Sequence, residues 1–479
     1  MSTPVPGIPA SATDPRAPEV AWRRMHPITP ALKGWKALVA LLAIVAYNMT
    51  DNIRNIGELM QDGRWRYVVA VVLAIAAVGF LYATIAWRVT KFVVDDEAVH
   101  LHTGVLFRQQ RQARLDRLQA VDIVQPLLAR LTGLAELRLE VAGGAGSAVS
   151  LAFLRESDAE ALRAELLARA AGLRVRPDEA PAARAPEQSV FEVPMPRMLA
   201  STLRSSATGW FVVFVVVIVV SVVATHEIAP VFTLVPALLG VGGAMWTRVN
   251  QGANFRAAIS PDGIRLRHGL TEARAQTVPP GRVQALRFTQ GPLWRGPDWW
   301  RVEMNVAGYG GEKDQQTENV LLPVGTREEA LLALWLVLPD LKVDDPRALL
   351  DAALAGSGEA GGFTSVPRRA RLLDLVGWRR RGFLVTDRAL FVRYGLIVRH
   401  LVVVPHERTQ SLALKQGPIQ RKLRVASIDV HSTAGPVHPM VEHLDEAVAA
   451  ALLDEQTERA RTARAGAMPE QWMRRPEAL

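Results

Sequence analysis

Side chains able to do chemistry are present, but few stand at spacings that chemistry needs. His431, His438 and His443 fall seven and five residues apart. That matches no zinc-ligand pattern, so they read as surface histidines. Asp95–Asp96 and Asp116 could supply paired carboxylates, yet acid–base work needs groups held within reach of one substrate. The Asp95–Asp96 pair lies between two apolar runs and reads as a turn. GYGGEK at Gly308–Lys313 is glycine-rich, but it lacks the ending of a phosphate loop and reads as a polar insertion between strands. HExxH, GxSxG and dinucleotide fingerprints do not occur. The absence of cysteine from 479 residues excludes thiolate ligands, cysteine nucleophiles and disulfides, and leaves the compartment open. The expectation is a non-catalytic chain with no metal, cofactor or small-molecule substrate.

The regular feature is a set of arginines. Arg117, Arg282 and Arg408 each follow a glycine (Gly104, Gly269, Gly395) by thirteen residues, and Gln119, Gln284 and Gln410 stand two residues further on. Each copy then reaches a proline just after a glutamine, at Gln125–Pro126, Gln290–Pro292 and Gln416–Pro418. Three sets in register mark internal repeats. The arginines fit two roles: five donors suit backbone carbonyls or a carboxylate at a strand edge, or phosphates of lipid headgroups. The glycines fit turns that need positive φ.

A second basic feature is VPRRARLLDLVGWRRRG, where Arg368, Arg369, Arg371 and Arg379, Arg380, Arg381 alternate with leucines and Trp378. This mixture suits a short amphipathic helix at an anionic bilayer surface, or a helix packed on a neighbouring domain. These seven residues are the candidate lipid contacts. The segment holds the place where the earlier repeats have apolar runs.

Within each repeat, short apolar runs between turn residues predict strands: TKFVV and AVHLH in the first copy, FLV and ALFVRY in the third. Capping-box patterns at Ser157-x-x-Glu160 and Thr326-x-x-Glu329 predict a closing helix. In the third copy Pro439 suits a first helical turn. A small sandwich or barrel closed by one helix buries both apolar faces.

Uncharged apolar runs predict four membrane spans, at about 32–50, 67–87, 207–225 and 228–247. Arg and Lys flank the outer ends of both pairs, which predicts two hairpins with both termini and every repeat in the cytoplasm. The start of the chain lacks the pattern of a cleavable signal. The resulting organisation is a disordered N-terminus (1–30), hairpin one (31–87), a domain (88–173), a linker (174–204) and hairpin two (205–250). A second domain (251–340), a linker with the basic segment (341–378), a third domain (379–457) and a tail (458–479) follow. LDAALAGSGEAGG at 350–362 reads as flexible.

The repeats and their attachment to paired apolar segments resemble the bacterial pleckstrin-homology-like domains of the membrane-flanked family, in its multi-copy form, from about Trp35 to Gln456. The resemblance implies a multi-pass helical membrane protein with three β-rich pleckstrin-homology-like cytoplasmic domains, each with a C-terminal helix. It carries no catalytic residues; Arg117, Gln119, Arg282, Gln284, Arg408 and Gln410 match as structural positions. Lys and Arg number 56 against 47 Asp and Glu, a net charge of +9. The excess gathers beside the apolar runs, which points to lipid and not nucleic acid. The expected function is a scaffold of the bacterial inner membrane that binds the bilayer, anionic headgroups or protein partners; a component of a transport or export system is the alternative.

Overall fold

The computed structural model describes residues 23–29, 65–95, 97–104, 108–115, 118–141, 149–170, 188–226, 229–260, 263–279, 281–307 and 319–466. The chain forms two units, Met1–Asp116 and Arg117–Leu479.

In the first unit β1 (Arg23–Arg24) precedes helix α1 (Trp65–Val89), and β2 (Lys91–Val94), β3 (Ala98–Thr103) and β4 (Gln109–Arg114) follow. They make an antiparallel sheet in the order β1-β2-β3-β4. Phe92, Val99 and Leu101 are buried while His100 and His102 are only half-buried, the alternation of a sheet with one covered face. The turn between β2 and β3 forms because the Asp95 carboxylate accepts from the backbone N–H of Glu97 (2.9 Å) and Ala98 (2.6 Å).

The second unit opens with β5 (Leu118–Pro126), α2 (Leu127–Leu131), β6 (Leu134–Val141), β7 (Val149–Arg155) and helix α3 (Glu156–Ala170). Next come β8 (Gln188–Glu192), the helices α4 (Met195–Leu203), α5 (Ser206–Thr225) and α6 (Ala229–Gly252), then β9 (Arg256–Ser260), β10 (Gly263–His268) and β11 (Glu272–Val278). The second repeat finishes with β12 (Val283–Gln290), β13 (Trp299–Val306), β14 (Val320–Thr326) and α7 (Arg327–Val337). After α8 (Pro346–Ala355) the third repeat runs β15 (Thr364–Ser365), β16 (Gly382–Val385), β17 (Ala389–Tyr394) and β18 (Arg399–Pro405). It ends with β19 (Ser411–Lys415), α9 (Pro418–Lys422), β20 (Val425–His431), β21 (Met440–Asp445) and α10 (Glu446–Ala465).

Among the described residues every repeat therefore has the same strands, four and then three, and the same closing helix. The repeats are also joined edge to edge. One seven-stranded sheet runs β7-β6-β5-β11-β10-β9-β8 and the other β14-β13-β12-β18-β17-β16-β15, leaving β19-β20-β21 as a separate sheet. Thus the three-stranded half of one repeat continues into the four-stranded half of the next. Strands at the second junction are buried on both faces. Phe391, Leu401 and Val403 join the core of the second repeat, with Phe288, Trp300 and Leu334. Leu390, Val392, Val402 and Val404 join the core of the third, with Phe383, Ile428 and Leu444. Two-sided burial explains why HLVVVP lacks the polar alternation of a surface strand.

Several expectations are corrected. Among the described residues one helix, Ser206–Thr225, is long and apolar enough to cross a membrane by length and composition. Among the described residues a further apolar helical stretch, Leu73–Val89, is shorter than the ~20 residues a span needs. The first expected span, 32–50, lies outside the described residues. The multi-pass fold with two hairpins is overturned. With it falls the bacterial inner-membrane topology that placed both termini in the cytoplasm, since a charge count across spans has no meaning without the spans.

The stretch read as a flexible linker includes α8, with Leu350, Ala353 and Leu354 buried. Asp345 caps its start by accepting from the Ala348 N–H at 2.9 Å. Pro439 opens no helix; β21 follows it, and α10 starts beyond Asp445, whose carboxylate accepts from the Ala447 N–H. The capping box at Thr326 and Glu329 is present in full.

Candidate functional site

In the second repeat the connection from the first strand, β8, to the second, β9, holds α4, α5 and α6. The third repeat makes the corresponding connection, from β15 to β16, with residues 366–381 alone. Both connections begin alike, with a buried valine and a proline: Val193–Pro194 and Val366–Pro367. The basic segment thus occupies the fold position where the second repeat inserts its long apolar helix.

The segment is not an amphipathic helix. A 3-10 turn covers Arg368–Leu372, and turns then carry the chain to Arg381. Asp374 is the fold-back point. Its carboxylate accepts from the Gly377 N–H at 2.7 Å and from Arg381 Nε and Nη2 at 3.1 and 2.8 Å. Burial works to raise its pKa, but these hydrogen bonds and the Arg381 charge prevail and hold it below the usual carboxylate range. With both ends fixed, the tip presents Leu372, Leu375 and Val376, which are 72%, 71% and 55% exposed.

The seven candidate contacts separate into two groups. Arg380 is 3% exposed and donates to the carbonyls of Gly356 (2.6 Å), Leu354 (2.6 Å) and Ala353 (3.3 Å), closing the C-terminal end of α8. Burial, with Arg399, Arg393 and Arg295 nearby, pushes it down to about 9, still charged at neutral pH. Arg381 pairs with Asp374 and Glu442, and Arg369 with Asp445 and the Arg424 carbonyl. Trp378 is half-buried against the third core, with the Arg379 guanidinium over its ring at 5.5 Å. Arg368, Arg371 and Arg379 stand exposed beside the apolar tip.

The repeat signature is divided too. Gly104, Gly269 and Gly395 have φ of 105°, 115° and 77°. Arg117 and the side chain of Gln119 lie outside the described residues. Arg282 and Arg408 are half-buried, and Arg408 lines a shallow depression with Gly281, Pro405 and Glu407 that holds little more than a water molecule. Gln284 is buried and donates to the Arg282 carbonyl at 3.2 Å. Gln410 is exposed, and its backbone N–H donates to the His431 carbonyl. No group of three or more metal-ligating side chains occurs among the described residues.

The spacing of the repeats does not reveal a second apolar surface beside the start of α5. There Leu199 and Leu203 of α4 and Leu293 after β12 are exposed. Trp294 Nε1 donates to the Ser201 carbonyl at 3.1 Å, and Arg295 donates to the carbonyls of Leu396 and Ile397, a further exposed apolar pair. The signal was readable only as the isolated run LIV between Gly395 and Arg399.

Three sections of the chain, residues 38–170, 210–354 and 352–460, match the model of the bacterial PH domain. Neither a curated protein nor a solved structure matches the chain itself. Bacterial PH domains are generally non-catalytic scaffold or adaptor modules. Covering most of the sequence with three copies, the match makes the chain a non-catalytic member of the bacterial PH domain family.

Proposed function

We propose that the chain is a scaffold whose third PH domain docks on an anionic bilayer surface through the 366–381 loop, with Ser206–Thr225 as an apolar anchor. The observation that carries this reading is the equivalence of two connections: the same fold position holds the long apolar helix in the second repeat and an exposed apolar tip ringed by arginines in the third. Leu372, Leu375 and Val376 suit the headgroup–acyl boundary, where a small apolar area gains affinity and basic side chains meet anionic lipid. Arg368, Arg371 and Arg379 contribute up to about 1 kcal/mol each near such a surface, weakened by salt.

The test is partition of the full chain onto vesicles of anionic or neutral lipid. Helix α5 contributes to both, so the readout is their ratio and its fall with salt. Replacing Arg368, Arg371 and Arg379 together by Gln should lower that ratio by roughly tenfold or more. Leu372→Asn with Leu375→Asn should weaken both partitions and leave the salt dependence. A triple arginine variant that keeps the wild-type ratio would sink the reading.

A further inference from the structure

The two internal junctions follow one rule of register. At the first, β11 pairs with β5 through Ala273↔Gln125, Arg274↔Val124 and Ala275↔Ile123. At the second, β18 pairs with β12 through Arg399↔Gln290, His400↔Thr289 and Leu401↔Phe288. Counted from the repeat glycine on one strand and the repeat arginine on the other, these pairings are identical. The fourth strand of each following repeat thus adds to the fifth strand of the repeat before it.

Two strands of this kind are left at the ends of the array. The fourth strand of the first repeat, β4, is the last strand of its sheet, and the fifth strand of the third repeat, β19, is the first of its own. No described strand pairs with the far edge of either. The apolar side chains of β19 show the consequence. Leu414 is 47% exposed, whereas its equivalents at the closed junctions, Ile123 and Phe288, are 7% and 1% exposed. Leu412 is partly covered, and its equivalents Val121 and Leu286 are buried. Strand β19 carries the residues of a junction strand without the strand that would cover them.

We propose that β19 of one chain takes β4 of a second copy as its missing neighbour. The junction rule gives the register: Arg108 opposite Gln416, Gln109 opposite Lys415, Gln110 opposite Leu414, Arg111 opposite Ala413 and Gln112 opposite Leu412. This places no like charges directly opposite each other, a pairing that destabilises sheets. The contact joins different surfaces of the two partners, so each added copy leaves a fresh β4 and a fresh β19, and the assembly grows head to tail into a ring or filament. It is independent of the lipid-docking loop.

A chain without cysteine makes the test direct, because residues opposite one another on antiparallel strands lie within disulfide reach. Chains carrying Gln110→Cys and chains carrying Leu414→Cys, mixed and oxidised, should give a disulfide-linked heterodimer. A chain carrying both should give a ladder of oligomers on a denaturing gel. Pairing Gln110→Cys with Ala413→Cys, which points to the other face, should crosslink at least several-fold less. Ile123→Cys with Ala275→Cys, the equivalent pair at an internal junction, serves as the intrachain control. If that control crosslinks while the mixed chains do not, or if in-register and out-of-register pairs react equally, the proposal is overturned. Crosslinking of the double variant only within one chain would overturn it as well.

Discussion

Arg379 and Arg380 are neighbours in sequence with opposite fates. Arg379 covers the ring of Trp378 from the solvent side, while Arg380 turns inward and satisfies three carbonyls at the end of α8. Arg393 does similar work nearby, donating to the carbonyls of Ala352 (2.9 Å), Ala360 (3.3 Å) and Gly358, with its guanidinium 4.1 Å over the Phe363 ring. Removing Arg380 leaves buried acceptors without donors, which costs about 1–3 kcal/mol. Arg380→Gln should therefore lower the unfolding midpoint of the full chain in urea, while Arg379→Gln should change stability by no more than about 0.5 kcal/mol. Equal effects would mean that the two side chains share one environment. Composition alone makes them interchangeable members of an arginine run, and only the carbonyls of a helix that the sequence disguises as a linker tell them apart.

At the scale of elements, the turn between β17 and β18 hangs on Gly395. Its φ is +77°, and a Cβ there would sit 2.1 Å from the Val398 carbonyl oxygen. Gly362 has a similar φ of +78°, but a Cβ there would meet nothing closer than 3.7 Å. Left-handed strain alone costs about 1–2 kcal/mol, so Gly362→Ala should lose roughly that much. Gly395→Ala must also displace backbone and should lose more, read as the difference between their urea midpoints. Equal losses would remove the steric part of the argument. This turn was legible from sequence because glycine between apolar runs has a local cause, and so was the Thr326 cap. The strands β1 and β15 were not legible: each is two residues long, and its partner lies beyond an inserted connection. Helix α8 was hidden by its alanines and glycines, which read as flexible until Leu350 and Leu354 are seen in the core. The apolar runs that lie among the described residues were legible as helices, and of these one, Ser206–Thr225, is long and apolar enough to cross a bilayer. Of the candidate site, its position in the fold and its basic, apolar composition were readable; which arginines face outward was not, since that depends on acidic partners as distant as Glu442 and Asp445.

At the scale of the second unit, the second and third repeats share a sheet whose junction strands are buried in the core of one repeat on one face and of the other on the opposite face, so titration in either is felt by both. His268 lies in β10, stacked on Phe255 at 5.7 Å between centroids. Burial, helped by the Arg274 charge, pushes it down to about 4. His400 in β18 stacks on Tyr394 at 4.8 Å, and burial with Arg287 nearby brings it to about 4 as well. His406 is buried between the Thr386 carbonyl (2.7 Å) and the Gln456 amide (2.9 Å). Burial lowers it too. An unfolded histidine titrates near 6.5, so between that value and about 4 the unfolded chain binds more protons than the folded one. The contribution of these histidines is fully present above about pH 6.5 and is lost as pH falls toward 4. Glu303 is held below the usual carboxylate range: burial opposes this, but Arg301 and Arg287 prevail. Its contribution, like that of Asp374, is kept above the unfolded carboxylate value of about 4 and lost only below it. The urea midpoint of the full chain should therefore fall in two stages, first from about pH 6.5 to 4 and then more steeply below 4. The upper stage is worth on the order of 1–3 kcal/mol for each of His268 and His400. Replacing both by Gln should flatten the upper stage and leave the lower one in place. A midpoint that stays level from pH 7 to 4.5 in the unaltered chain would show that these imidazoles are protonated without penalty, and that the packing around both is open to water.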